Sequence, residues 1–283
     1  MRIAVLGLGN MGSAFARRAL QRDHHVTVWN RSSGRALELS ARGAVVADTP
    51  KAAVTGADVV LVVLADDAAV LDVCLGADGA LARLGSDAVF ANVSTVSPDT
   101  ARRLAEAGPE DRVLDSPVMG SPEMIASGLG WFLIGGPLPT VEAVATLWSD
   151  LGSGYTHCGT VGTGATMKLV SNLWLVTGVA ALAEGIATAR HHGISDELLK
   201  SVIADSGVVS AASKVRAESV MASSHPGWFS PVLARKDLRL AVDLAQQSGL
   251  GVRIGPATEG LLTTVIDAGG QWADFAAVIE ALG

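Results

Sequence analysis

Residues 1–12 read MRIAVLGLGNMG and place Gly7, Gly9 and Gly12 in G-x-G-x-x-G spacing directly after an apolar run. The spacing alone is a weak signal, because an ordinary glycine-rich turn can share it. Its context decides the reading. Residues 3–6 read as a buried parallel strand and residues 11–20 as the helix that follows, so strand, tight turn and helix N-terminus come in the order that binds a dinucleotide. Gly7 would allow the turn and Gly9 would let a pyrophosphate approach the backbone. Gly12 would let helix and strand pack closely, with helix N–H groups and dipole facing the anion. Leu8, Asn10 and Met11, which lie between the glycines, complete this expected cofactor-binding loop.

The end of the second strand-like run distinguishes between dinucleotides. After HVTVW (residues 25–29) come Asn30, Arg31, Ser32 and Ser33, where an NAD-binding fold presents an acidic residue to the ribose 2′-hydroxyl. No carboxylate stands there. A guanidinium and hydroxyls can pair with a 2′-phosphate through charge-assisted hydrogen bonds, and Arg31 can also stack on adenine. NADPH is therefore expected over NADH, with Asn30, Arg31 and Ser32 as binding residues. The plainer alternative makes Arg31 a solvated charge at the start of the next helix.

Composition excludes several classes. The chain has 283 residues, of which 49% are hydrophobic and 17% charged, so it is globular and long enough for two domains. A net charge of −7 without a Lys/Arg stripe argues against a nucleic-acid partner. Cys74 and Cys158 have neither metal-ligand spacing nor a disulfide framework, and read as buried thiols of a reducing cytoplasm. No targeting segment is visible. The longest apolar stretches, residues 59–65 and 173–183, fall short of the roughly 18 to 20 residues that span a bilayer, so no membrane is expected. The histidines lack metal-site spacing and read as surface or helix-end residues; no metal is expected.

Strand-like runs recur at residues 3–6, 26–29, 59–64, 88–91 and 113–114, separated by helical stretches such as 100–107. Residues 131–134 and 155–157 could extend the sheet at its far edge. This alternation predicts a Rossmann-type, doubly wound, mostly parallel sheet with helices on both faces. From Thr166 to Gly193 the chain is rich in Ala and Leu without Pro, and strand signals then almost vanish. The expected organisation is an NADP-binding domain, residues 1–161, joined through one long interdomain helix to an all-α domain, residues 162–283. Leu64 and Ala65, at the end of the run 59–64, belong to the expected cofactor set.

Lys168 and Asn172 lie four apart near the start of that helix, hence on one face. A lysine among apolar neighbours near a cleft can protonate a developing alkoxide, which hydride transfer from a nicotinamide requires. From spacing alone, an exposed first-turn lysine and a packing amide are equally good readings. In the loop after residues 88–91, Ser94 and Thr95 offer hydroxyls and N–H groups where nicotinamide and substrate should meet, although Ser94 could simply cap a turn.

The sequence resembles the beta-hydroxyacid dehydrogenase superfamily, which includes 3-hydroxyisobutyrate dehydrogenases, glyoxylate/succinic semialdehyde reductases and the related imine reductases. Five blocks carry the likeness across nearly the whole chain: GLGNMG, NVSTVSP (92–98), DSPVMGSP (115–122), GTGATMKLVSN (162–172) and FSPVLARKDLRLA (229–241). The resemblance implies that Lys168 is the general acid/base and that Asn172 orients the substrate. It implies that Lys236 lies near cofactor and substrate with Asp237 in support, and that the segment 118–121 binds the substrate. It also implies a dimer or tetramer in which the long helix packs between subunits.

Two positions depart from the family pattern. Met119 stands where a serine is usual, and Asn92 where an Asp is usual, while Gly120 and Ser121 keep possible donors. The run VMGSPEMI and the N-R-S-S after the second strand are similar to imine reductases, which generally place Asp or Tyr at the position of Lys168. Trp174 and Trp228, flanking the catalytic helix and the KDL block, are candidate pocket walls, with core packing as the default. The expected activity is NADPH-dependent reduction of an aldehyde or ketone, a small-molecule substrate. The alternatives are an imine reductase acting on cyclic imines or iminium ions, and a non-catalytic NADPH sensor.

Overall fold

The structure, a computed structural model, describes residues 1–32 and 34–282. Ser33, expected beside Arg31, and Gly283 lie outside the described residues. The chain divides into two compact units, Met1–Lys168 and the residues from Leu169 onward.

The first unit is built on β1 (Arg2–Leu6), β2 (His25–Trp29), β3 (Val45–Val46), β4 (Val59–Val62), β5 (Val89–Asn92) and β6 (Val113–Asp115). All pair in parallel, in the order β3-β2-β1-β4-β5-β6. That is the doubly wound dinucleotide-binding order, which reverses between β1 and β4. Beyond β6 the sheet turns mixed. Here β8 (Trp131–Gly135) runs antiparallel to β6 and to β7 (Val118–Met119), and parallel to β9 (Gly154–Gly159). Trp131 therefore does not sit on an edge strand as the sequence suggested, because β8 is paired on both sides.

Alternation along β1 explains the layers. Ile3 and Val5 face one core with Phe15, Phe132 and Trp148, while Ala4 and Leu6 face another with Val62, Phe90 and Leu104. Both faces are buried, as a parallel sheet requires. The covering helices are α1 (Asn10–Gln21), α2 (Gly34–Ser40), α3 (Pro50–Val54), α4 (Asp67–Leu75), α5 (Pro98–Ala107), α6 (Pro122–Ala126), α7 (Leu138–Ala143) and α8 (Ala145–Leu151). Phe132 packs between Phe15 and Trp148, at ring-centroid distances of 5.8 and 5.0 Å.

A 29-residue helix, α9 (Thr163–His191), begins in the first unit and runs into the second. The second unit adds α10 (Asp196–Asp205), α11 (Ala211–Met221), α12 (Pro231–Gln247), α13 (Ile254–Asp267) and a closing 3₁₀ stretch. Among the described residues, α9 is long and apolar enough to cross a bilayer, contrary to the reading that no stretch reaches that length. Its apolar residues have another destination: Val176, Val179, Ala183 and Ile186 are buried with Phe229, Leu238, Leu262 and Phe275.

Three smaller expectations are also corrected. His225 is buried, held between Ser219 O and Glu280 Oε1 at 2.8 Å each. His24 likewise packs its ring against Asp150. These are tethering histidines, with burial lowering the pKa of His24. Cys158 is only half-buried, whereas burial pushes the Cys74 thiol up to about 12.

Candidate active site

The glycine loop has the geometry that its sequence demands. Gly7 takes φ +97°, and a Cβ there would lie 2.3 Å from Val63 O. A Cβ on Gly12 would lie 1.9 Å from Gly7 O, so helix and strand approach closer than any side chain permits. Gly9 is different, because nothing stands within 4 Å of its Cβ position. It is the N-cap of α1, with no capping side chain and no acid in the first turn. The amides there are open to an anion, so these residues fit the pyrophosphate of a dinucleotide. Leu8 is buried, Met11 is half-buried and Asn10 is exposed at the helix start.

Asn30 links this loop to the end of β2. Its Oδ1 accepts from Leu8 N at 2.9 Å, and its Nδ2 donates to Ser32 O at 2.8 Å and Ser32 Oγ at 3.0 Å. Arg31 and Ser32 are exposed. Arg35, which the sequence reading passed over, donates from Nη1 to Leu8 O at 2.9 Å. Its place in the first turn of α2, shortly after the N-R-S run, was the available signal.

At the neighbouring strand ends, Ser94 is buried and its hydroxyl serves the backbone. It accepts from Leu64 N at 2.9 Å and donates to Val62 O at 3.1 Å. Asn92 accepts from Ser94 N at 3.2 Å. The loops following β4 and β5 are thus tied together, with Leu64 half-buried, Ala65 exposed and Thr95 half-buried. The sequence run 59–64 ends as a strand at Val62, and Leu64 belongs to the loop.

Met119 closes β7 and is half-buried. Gly120 follows at φ +138°, and Ser121 caps α6 by accepting from Met124 N at 3.2 Å. In the second unit, Trp174 is exposed on α9. Trp228 stacks on Phe229 at 5.6 Å under the Arg216 guanidinium, so part of its surface is spent on core packing.

Lys168 is the sixth residue of α9 and is half-buried. The start of that helix is fixed by Asp115, at the end of β6. Asp115 Oδ1 accepts from Gly162 N at 2.8 Å and Oδ2 from Ala165 N at 2.6 Å, and the nearby Gly164 amide also favours the ionised carboxylate. Burial nevertheless raises its pKa to about 6, against the opposing pull of these N–H groups. Burial also raises the Cys158 thiol, with the Asp115 charge as a second cause.

Asn172 lies one turn beyond Lys168 along α9. It is buried in the second unit and its Nδ2 donates to Asp237 Oδ2 at 2.5 Å. Lys236 Nζ lies 2.7 Å from Asp237 Oδ1, an ion pair without hydrogen-bond alignment. Asp237 therefore joins two residues that sequence analysis had singled out separately. Among the described residues there is no cluster of metal-ligating side chains.

Two family models match the chain. Residues 2–162 match the NAD-binding domain of 6-phosphogluconate dehydrogenase, and residues 162–282 the NAD-binding family of NADP-dependent 3-hydroxyisobutyrate dehydrogenase. The chain belongs to the beta-hydroxyacid dehydrogenase superfamily. It is 31% identical over 284 residues to glyoxylate/succinic semialdehyde reductase 2 of Arabidopsis thaliana, covering 99% of this chain and 79% of that protein. Among solved structures, it is similar to 3-hydroxyisobutyrate dehydrogenase of Mycobacterium tuberculosis with L-serine, at TM-score 0.86 and 27% identity over 99% and 98% of the two chains. It is also similar to an imine reductase of Streptomyces aurantiacus, at TM-score 0.65 and 25% identity over the whole of both chains. The chain is thus an NAD(P)-dependent oxidoreductase of the beta-hydroxyacid dehydrogenase type.

Proposed function

We propose that this beta-hydroxyacid dehydrogenase uses NADPH to reduce an aldehyde or ketone, with Lys168 as general acid/base. A bound nicotinamide cofactor supplies the hydride. The α1 amides over Gly9 hold its pyrophosphate, and Arg31 with Ser32 pairs with the 2′-phosphate, where no carboxylate would repel it. Lys168 protonates the carbonyl oxygen as the alkoxide develops, and Asn172 orients the substrate. Thr95, Gly120 and Ser121 offer donors to the substrate, beside the apolar Met119. The hydroxyl of Ser94, which donates to Val62 O and accepts from Leu64 N, positions Leu64 and keeps one acceptor site for a substrate. Residues 1–161 are assigned to NADP binding and residues 162–283 to substrate binding and assembly as a homodimer or homotetramer in the cytoplasm.

The observation that carries this reading is the Asn172–Asp237–Lys236 cluster, its amide and carboxylate buried and its lysine half-buried, one turn along α9 from Lys168. A protein that only sensed NADPH would have no use for two buried polar groups held in one orientation, given what burying them costs. The Arabidopsis relative, by name a reductase of two aldehydes that carry carboxylates, supports a small aldehyde substrate. Oxidation of NADPH and NADH is measured with a panel of aldehydes, keto acids and cyclic imines. Turnover of carbonyls with NADPH is expected, and turnover of imines alone would overturn it.

Imine reduction remains the second reading because of Met119 and the VMGSPEMI run. Lys168 weighs against it, since a cationic acid suits an alkoxide and repels an iminium.

A further inference from the structure

We infer that Asp115 is a positioning residue for catalysis: it sets the place of Lys168 by pinning the first turn of α9 to the end of β6. The inference rests on the proposed role of Lys168 and adds to it the residue that delivers the lysine.

Other helices of this chain are capped locally. Thr49, Asp66, Ser97, Ser195 and Ser230 each precede the helix they cap and accept from an amide three residues on. A side chain of that kind satisfies a helix terminus but does not fix where the helix sits. The cap of α9 comes from a different strand, 47 and 50 residues away in sequence. Both oxygens of one buried carboxylate are engaged, which sets the direction of the helix as well as its end.

Glycines bring the backbones together around this contact. A Cβ on Gly164 would lie 2.5 Å from Leu133 O and 2.7 Å from Asp115 O, and one on Gly135 only 2.4 Å from Asp115 Oδ1. The first turn of α9 therefore rests directly on β6 and β8, on the face that carries Gly164. Lys168 is four residues beyond Gly164 and so continues that face. Any tilt or slip of the helix start is passed to the lysine, and an error of about 1 Å in a reacting group can cost on the order of 100-fold in rate. The groups that share this environment are Cys158 on β9, which feels the carboxylate's charge, and Arg102 on α5, whose guanidinium stands beside Gly162.

The test compares Asp115→Asn, Gly164→Ala and Lys168→Ala in steady-state turnover with NADPH, alongside NADPH affinity and the fraction of protein that binds it. Asp115→Asn keeps one acceptor oxygen and replaces the other with an NH2 donor that opposes a helix amide. Gly164→Ala lifts the same turn without touching a charge. Both are expected to lower kcat about 10- to 100-fold per NADPH-binding site, with KM and NADPH affinity within about twofold, since a misplaced acid acts in the transition state. If Lys168→Ala is inactive while both other variants keep wild-type kcat, Asp115 does no more than stabilise the fold and the inference fails alone. If Lys168→Ala turns over normally, the reading of Lys168 and this inference both fail. Should Asp115→Asn not fold, Gly164→Ala decides between these outcomes.

Discussion

Asp115 also makes a quantitative prediction about stability. Two effects compete at its carboxyl: burial disfavours the ionised form, whereas the amides of Gly162, Gly164 and Ala165 at the positive end of α9 favour it. Burial wins, and the group titrates at about 6 in place of the ordinary 3.8. A raised acid pKa means that the folded protein keeps a proton that the unfolded chain has already lost. The resulting stabilisation is complete below about pH 4 and disappears as pH rises through about 6. A shift of about 2 units is worth about 3 kcal/mol over the whole titration, of which about 2 kcal/mol falls between pH 4.5 and 7.5.

Denaturant unfolding of wild type and Asp115→Asn across that range isolates the effect, because distant titrating groups cancel in the difference. Wild type should lose about 2 kcal/mol relative to the variant on going from pH 4.5 to 7.5. A flat difference would mean that Asp115 does not titrate there. The same flat result follows if the helix amides match or outweigh burial, because a carboxyl at or below 3.8 titrates below this window, and the stated balance would then be wrong.

Four further outcomes follow from the glycine loop, the end of β2 and the start of α9. Gly9→Ala should leave the melting temperature within error yet weaken NADPH binding at least tenfold. Gly12→Ala, whose Cβ would meet Gly7 O, should destabilise the fold by at least about 2 kcal/mol in denaturant unfolding. Arg31→Ala should cost NADPH about 10- to 100-fold in affinity, as for a lost charge-assisted hydrogen bond, and NADH little; titration with both cofactors checks this. Lys168→Ala should reduce kcat by about 100-fold or more with NADPH affinity nearly intact, read from steady-state rates and cofactor titration.

Much of the nucleotide-binding unit was legible because its signals are local. The glycine spacing, the apolar runs of β1, β4 and β5 and the proline-free stretch of α9 each lie within a short window of sequence. β3 and β7 were not legible, since two residues carry no periodicity. The change to antiparallel pairing at β8 was also hidden, because strand direction depends on partners rather than on composition. In the proposed site, Lys168 and Asn172 were suggested by helical spacing. The buried bonds of Asp115 and the Asp237 link span 47 to 65 residues, beyond any local pattern. Ser94 shows the converse, since a hydroxyl in the expected place turns out to be occupied by backbone partners.

Asn30 bears on any attempt to redesign cofactor choice. Under the proposed NADPH reading, a swap of residues 30–32 for an acid-bearing loop is the obvious route to NADH. It would also remove the acceptor that Leu8 N uses, and so loosen the turn on which both cofactors depend. On that reading, cofactor preference and affinity are coupled through Asn30. A loop graft that keeps the Asn30 amide should change preference alone, whereas one that discards it should weaken both dinucleotides.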